Sequence, residues 1–140
     1  MKYADFMGNE REDGRSKDRV SYRKPLDLNV KPLEVDALVD TGAVVPLLGK
    51  DIVDRLGAQI TRRAVVTLAD DTSLVMDVAG PIIVEIGDRR SYFECLVAPV
   101  LAEPLMGQVV LEVLDLVVAP GKRTLAPRPE SPAYPSYKLK

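Results

Sequence analysis

Asp40, followed by Thr41 and Gly42, is the side chain in this sequence best placed to do chemistry. It ends the run Leu33 to Val39, where Val35, Ala37 and Val39 alternate with Glu34, Asp36 and Leu38, the period of a strand with one apolar and one mixed face. A carboxylate at the mouth of a buried strand is costly to desolvate. It persists there only if hydrogen-bonded, paired, or used as an acid or base. Gly42 lets the backbone turn tightly against it. A plain strand followed by an Asp-Thr-Gly turn accounts for the same residues, since these types favour turns on their own.

Other chemistries are excluded by what the chain lacks. It has no histidine, which removes Ser-His and Cys-His nucleophilic pairs together with His-ligated zinc. Cys95 is the only cysteine and lies in the apolar run Tyr92 to Val97, so it reads as a packing thiol with no intramolecular disulfide or cysteine metal site open to it. A formal net charge of -2 over 140 residues offers no footprint for nucleic acid. No apolar run approaches the ~20 residues that span a bilayer, and the first residues lack a signal-peptide core. The expectation is a cytoplasmic protein with no membrane partner.

The elements that must position Asp40 follow from the same patterns. The polar, charged stretch 1–19 is expected to be a loosely held or disordered arm. Val20 to Arg23 can start a strand. Leu26, Leu28 and Val30 suggest a short half-exposed one, ended by Pro32. After Ala43 the chain should stay extended through Pro46, then form a short helix over Lys50 to Leu56, capped by Gly49 and stopped by Gly57.

Ala64 to Leu68 and Ser73 to Val78 read as a hairpin with an acidic tip at Asp70, Asp71 and Thr72. Pro81 to Ile86 and Arg90 to Val97, joined at Gly87-Asp88, give the clearest hairpin signal, with Ile82, Val84 and Ile86 on its core face. A second short helix over Gln108 to Leu114 should bury Val110, Leu111 and Leu114. Leu116 to Val118 and Arg123 to Leu125 look like a last hairpin through Pro120-Gly121. From Ala126 on, four prolines predict an extended, disordered tail over 126–140.

The order of apolar strand, Asp40-Thr41-Gly42-Ala43, apolar Val44 to Leu48, short helix, and much later Leu105-Met106-Gly107 before a second helix resembles the retropepsin-like aspartic proteases. The resemblance covers roughly 20–125. It implies an all-β fold, mainly strands with two short helices, closed into an acid-protease barrel with one lobe per chain. It also implies an aspartic endopeptidase acting on extended peptide segments without metal or organic cofactor.

Only one Asp-Thr-Gly is present, so the two facing carboxylates of that chemistry would come from Asp40 in each half of a homodimer. By resemblance Thr41 would lock the two active-site loops together, Gly42 would leave room for substrate backbone, and Ala43 would pack beneath the loop. Leu68, Ala69, Asp70, Asp71 and Thr72 would form the flap over substrate, although a purely structural hairpin explains them equally. Leu105, Met106 and Gly107 would support the catalytic turn. Val44 departs from the family's pattern, where a small hydroxyl residue often helps hold the carboxylate. A protease-like domain that binds peptides or mediates assembly without cutting is the alternative reading.

Overall fold

The computed structural model describes residues 16–25, 29, 31–40, 42–119 and 124–139. The strands are β1 (Lys17–Arg23), β2 (Leu33–Val39), β3 (Leu47–Gly49), β4 (Gln59–Thr67), β5 (Ser73–Ile86), β6 (Arg89–Ala98), β7 (Leu105–Met106), β8 (Leu116–Val118) and β9 (Leu125–Pro127). Helix α1 spans Lys50–Leu56 and helix α2 spans Gln108–Leu114. This is the mainly-β architecture with two short helices that the sequence predicts.

The main sheet runs β1-β2-β7-β3-β6-β5-β4, and β1 also pairs with β5. That extra pairing closes the first six of these strands into a barrel and leaves β4 attached to β5 alone. One long strand serves both neighbours: β5 pairs with β4 over 73–80 and with β1 over 83–85. At the handover Gly80 and Pro81 together oppose Glu94 of β6, a bulge that bends the strand where proline has no N–H to give to the ladder. Ser73–Val78 and Pro81–Ile86, which read as separate strands, are therefore one.

The barrel core holds Val20, Tyr22, Val39, Leu48, Ile82, Val84, Phe93, Cys95, Met106 and the apolar faces of both helices. Helix α1 buries Ile52, Val53 and Leu56, and helix α2 buries Val110, Leu111 and Leu114, as their spacing requires. Gly57 takes the left-handed conformation that ends α1, with φ 66°. Burial pushes the Cys95 thiol up to about 12 and raises the Tyr22 phenol, which also faces Cys95. A smaller cluster of Leu47, Met76, Ala98, Ala102 and Leu105 lies on the opposite face of the sheet.

Three further expectations are corrected. β1 begins at Lys17, inside the stretch read as a loose arm. Its charged residues find tertiary partners there: Arg19 on Asp36 at 3.2 Å, Lys17 on Glu103 at 3.7 Å, and Asp18 accepting from the Leu125 amide at 3.0 Å. β4 begins at Gln59, five residues before the apolar alternation, because an edge strand exposes polar side chains on both faces.

The third correction concerns the proline-rich tail. Leu125–Pro127 pair with β8. Beyond them the Asp115 carboxylate accepts from the Ser131 hydroxyl at 2.5 Å, the Ser136 amide at 3.0 Å and Arg128 Nε at 2.9 Å. The Tyr137 hydroxyl donates to the Val113 carbonyl. Proline bars regular structure but does not bar docking through side chains. Apart from Asn29, the expected strand at Leu26 to Val30 lies outside the described residues, as do the turn at Pro120-Gly121 and residues 1–15 of the arm.

Candidate functional site

Asp40 sits one residue past β2, half-buried, where the strand leaves the barrel. Its carboxylate Oδ1 accepts the Gly42 amide at 2.9 Å, and its carbonyl accepts the Ala43 amide at 3.1 Å, so the turn closes around the acid. Three further backbone bonds fasten this loop from beneath. The Asp40 amide donates to the Met106 carbonyl at 3.1 Å, the Gln108 amide to Ala43 at 2.7 Å, and the Val109 amide to Val44 at 2.9 Å.

The last two donors belong to the first turn of α2, which has no side-chain cap and would otherwise leave them unsatisfied. The loop's carbonyls do the capping. Gly107 is required by the same contact, since a Cβ there would lie 2.7 Å from the carbonyl oxygens of both Val44 and Val45. The sequence motif Leu105-Met106-Gly107 is thus explained residue by residue: Leu105 pairs with both Leu38 and Leu47, Met106 receives the Asp40 amide, and Gly107 lets the loop lie on the helix.

Above the loop is a cleft of about 620 Å³. Asp40, Gly42, Ala43 and Val44 form one wall, Leu47, Val78, Leu96 and Leu105 the floor, and β4 from Arg62 onward through Leu68 and Ala69 the other wall. Val44 is 72% exposed, so the side chain at this position faces solvent and does not hold the carboxylate. Among the described residues β4 pairs only with β5, and its unpaired edge runs along the cleft.

The expected flap residues divide. Leu68 and Ala69 line the cleft, while Asp70, Asp71 and Thr72 form the exposed tip of the β4–β5 hairpin and do not line it. Leu68 accepts the Asp71 amide at 2.9 Å and donates to Thr72 at 2.8 Å. Asp70 takes the Thr72 hydroxyl at 2.5 Å and the Thr72 amide at 3.0 Å, bonds that hold its carboxyl below the usual range. Asp71 adopts φ 68°, the left-handed position that glycine would fill in a more yielding turn. Thr41 lies outside the described residues.

Two charged cleft residues escaped the sequence reading, as did the apolar floor and the rest of the β4 wall. Arg62 and Glu94 meet at 2.7 Å at the base of the β4 wall, 32 positions apart in the chain, with no local signal to connect them. Among the described residues no group of three or more Cys, Asp or Glu side chains could hold a metal ion. No helix among them is long and apolar enough to cross a membrane.

Solved structures share this fold. EIAV protease in complex with an inhibitor superposes with a TM-score of 0.53 at 20% identity, covering 76% of this chain and 93% of its own. The chain has the retropepsin-like fold. A retropepsin-like aspartic protease from Rickettsia conorii superposes with a TM-score of 0.51 at 19% identity, covering 79% of this chain and 80% of its own. No family model and no curated protein matches the sequence. The retropepsin-like fold is therefore recognised through backbone geometry.

Proposed function

We propose that this chain is an aspartic endopeptidase that works as a homodimer, with Asp40 of each copy meeting near a two-fold axis. The observation that carries the reading is the placement of Asp40 on a backbone-fastened turn at the wall of a peptide-sized cleft. Two ionised carboxylates ~3 Å apart would repel by about 5 kcal/mol at an effective dielectric near 20, so the pair holds one proton between them. The ionised member takes a proton from a bound water, which attacks the peptide carbonyl. The protonated member donates to the carbonyl oxygen, and the pair then returns a proton to the leaving amine.

Substrate lies extended along the open edge of β4, adding strand-like hydrogen bonds with its side chains alternately facing the cleft. Leu68 to Thr72 close over it as a flap. In this reading Thr41 ties the two loops together, Gly42 clears space for substrate backbone, Ala43 packs under the turn, and Leu105, Met106 and Gly107 hold it from below. The chain's own carboxylates supply the acid and base, and no metal or organic cofactor is invoked. The open β4 edge also supports a second reading, a module that binds extended segments without cutting them.

Peptide-library digestion from acid to neutral pH, with oligomeric state measured alongside, separates the two. Asp40→Asn abolishes cleavage and leaves peptide binding if the enzyme reading holds. A wild-type protein that binds peptides and never cleaves them, as monomer or dimer, overturns it.

A further inference from the structure

The base of the cleft carries two charged residues that the proposed chemistry does not use. Arg62 precedes Leu68 on the same wall by six residues, about 20 Å down the strand at ~3.3 Å per residue. In register Arg62 lies beside Val78 and Val78 beside Leu96, so the three form one row across the cleft face. Glu94, two positions before Leu96, faces the same way. Arg62 Nη2 donates to Glu94 Oε1 at 2.7 Å across the intervening β5, closing this end of the cleft. The hydrogen bond holds the Glu94 carboxyl below its ordinary range, so the pair stays ionised at neutral pH.

The rest of the lining is apolar or small apart from Thr67 and Asp40 itself. The two side chains are 54% and 47% exposed, open enough to meet a bound segment. A charged side chain arriving there gains from one member what it loses to the other. An uncharged one can pack on the aliphatic stem of Arg62 at no such cost.

We propose that the Arg62–Glu94 pair is a specificity-determining charge filter, which makes the base end of the cleft prefer an uncharged side chain of an extended peptide over an acidic or basic one. This rests on the cleft being a peptide site. Removing one partner unmasks the other: Glu94→Gln turns the preference towards acidic residues, and Arg62→Gln towards basic ones. The charge swap Arg62→Glu with Glu94→Arg restores the original order. Each shift is roughly two- to five-fold, the size of an exposed ion pair, and shrinks as salt rises.

The test is a panel of fluorescein-labelled decapeptides carrying Gln, Glu or Lys at each position in turn. Their binding is measured by anisotropy at low salt in the Asp40→Asn background, and their turnover with Asp40 intact. Thermal melts confirm that each variant is folded, and the swap stands in for any single variant that is not. Opposite shifts in the two single variants at one peptide position, reversed in the swap, establish the filter. Such shifts in binding without any turnover keep the filter and remove the peptidase reading. Turnover with one charge preference shared by all variants overturns the filter alone, and no binding of any peptide overturns it as well.

Discussion

The two walls of the cleft are attached to the barrel in different ways. The Asp40 loop is fastened by directional bonds to β7 and α2, with the Asp40 amide on Met106 and the Ala43 and Val44 carbonyls on the first amides of the helix. The hydrogen bonds of the opposite tip run among its own residues, from Leu68 to Thr72, and its link to the body is apolar packing of Leu68 and Leu74 on the small floor cluster. Apolar contact is non-directional and tolerates sliding, whereas a backbone bond breaks when its partner shifts. The acid is held in one geometry by the body of the fold, whereas the tip holds its own shape by bonds of its own.

The sharpest way to break this contrast is Gly107→Ala. Its Cβ meets two backbone oxygens at 2.7 Å, so the loop must lift off α2. We expect destabilisation on the order of 3 kcal/mol and at least tenfold lower peptide cleavage, read by thermal melts and kinetics. Unchanged melting would show that the loop is not fastened there.

The far end of the same helix offers a second test. Arg89, 3% exposed, donates to the Leu114 carbonyl at 3.0 Å, the Asp115 carbonyl at 2.8 Å and the Ser131 carbonyl at 2.5 Å. Arg89→Met removes all three bonds, leaving the Asp115 carbonyl only the Arg128 amide at 3.4 Å, and should cost roughly 2 kcal/mol, with hydrogen exchange accelerating in α2 and the tail before the β4–β5 tip. Acceleration at the tip instead would mean that the two walls are coupled.

Acidification probes the same anchor more gently. The Ser131 hydroxyl, followed by the Ser136 amide and Arg128, holds the Asp115 carboxyl below its unfolded value of 3.8. A depressed folded value contributes stability that is present above the unfolded pKa and is lost as pH falls through the folded one. Wild type should therefore lose stability below about pH 4 more steeply than Asp115→Asn, as followed by denaturant melts across pH. Parallel curves would refute the anchor's charge dependence. The smallest effect belongs to the other wall. Asp70→Ala removes bonds internal to the tip, so global stability should barely change while the Asp71 and Thr72 amides exchange faster.

Much of the scaffold was legible because its patterns are local. Both helices carry apolar side chains at helical spacing, and their observed bounds, Lys50–Leu56 and Gln108–Leu114, are those that the spacing predicts. The β5–β6 hairpin announces itself at Gly87-Asp88 in the same way. What eluded the pattern was set by distant partners. The charged residues of β1 read as a loose arm until β2 pairs with them, and the tail reads as unstructured until Asp115 and Arg89 bond to it. Arg62 and Glu94 look like surface charges on separate strands.

The sequence by itself determined the turn chemistry around Asp40, the absence of histidine chemistry, and the periodicity of each core element. Each depends on side-chain type and on spacings of a few residues. Only the tertiary structure decided that β1 closes the barrel against β5, that α2 takes its cap from the Asp40 loop, and that among the described residues the edge of β4 beside the acid has no partner strand. These are pairings between backbone groups remote in the chain, and apart from proline those groups are the same in every residue, so side-chain type alone does not announce which of them will meet.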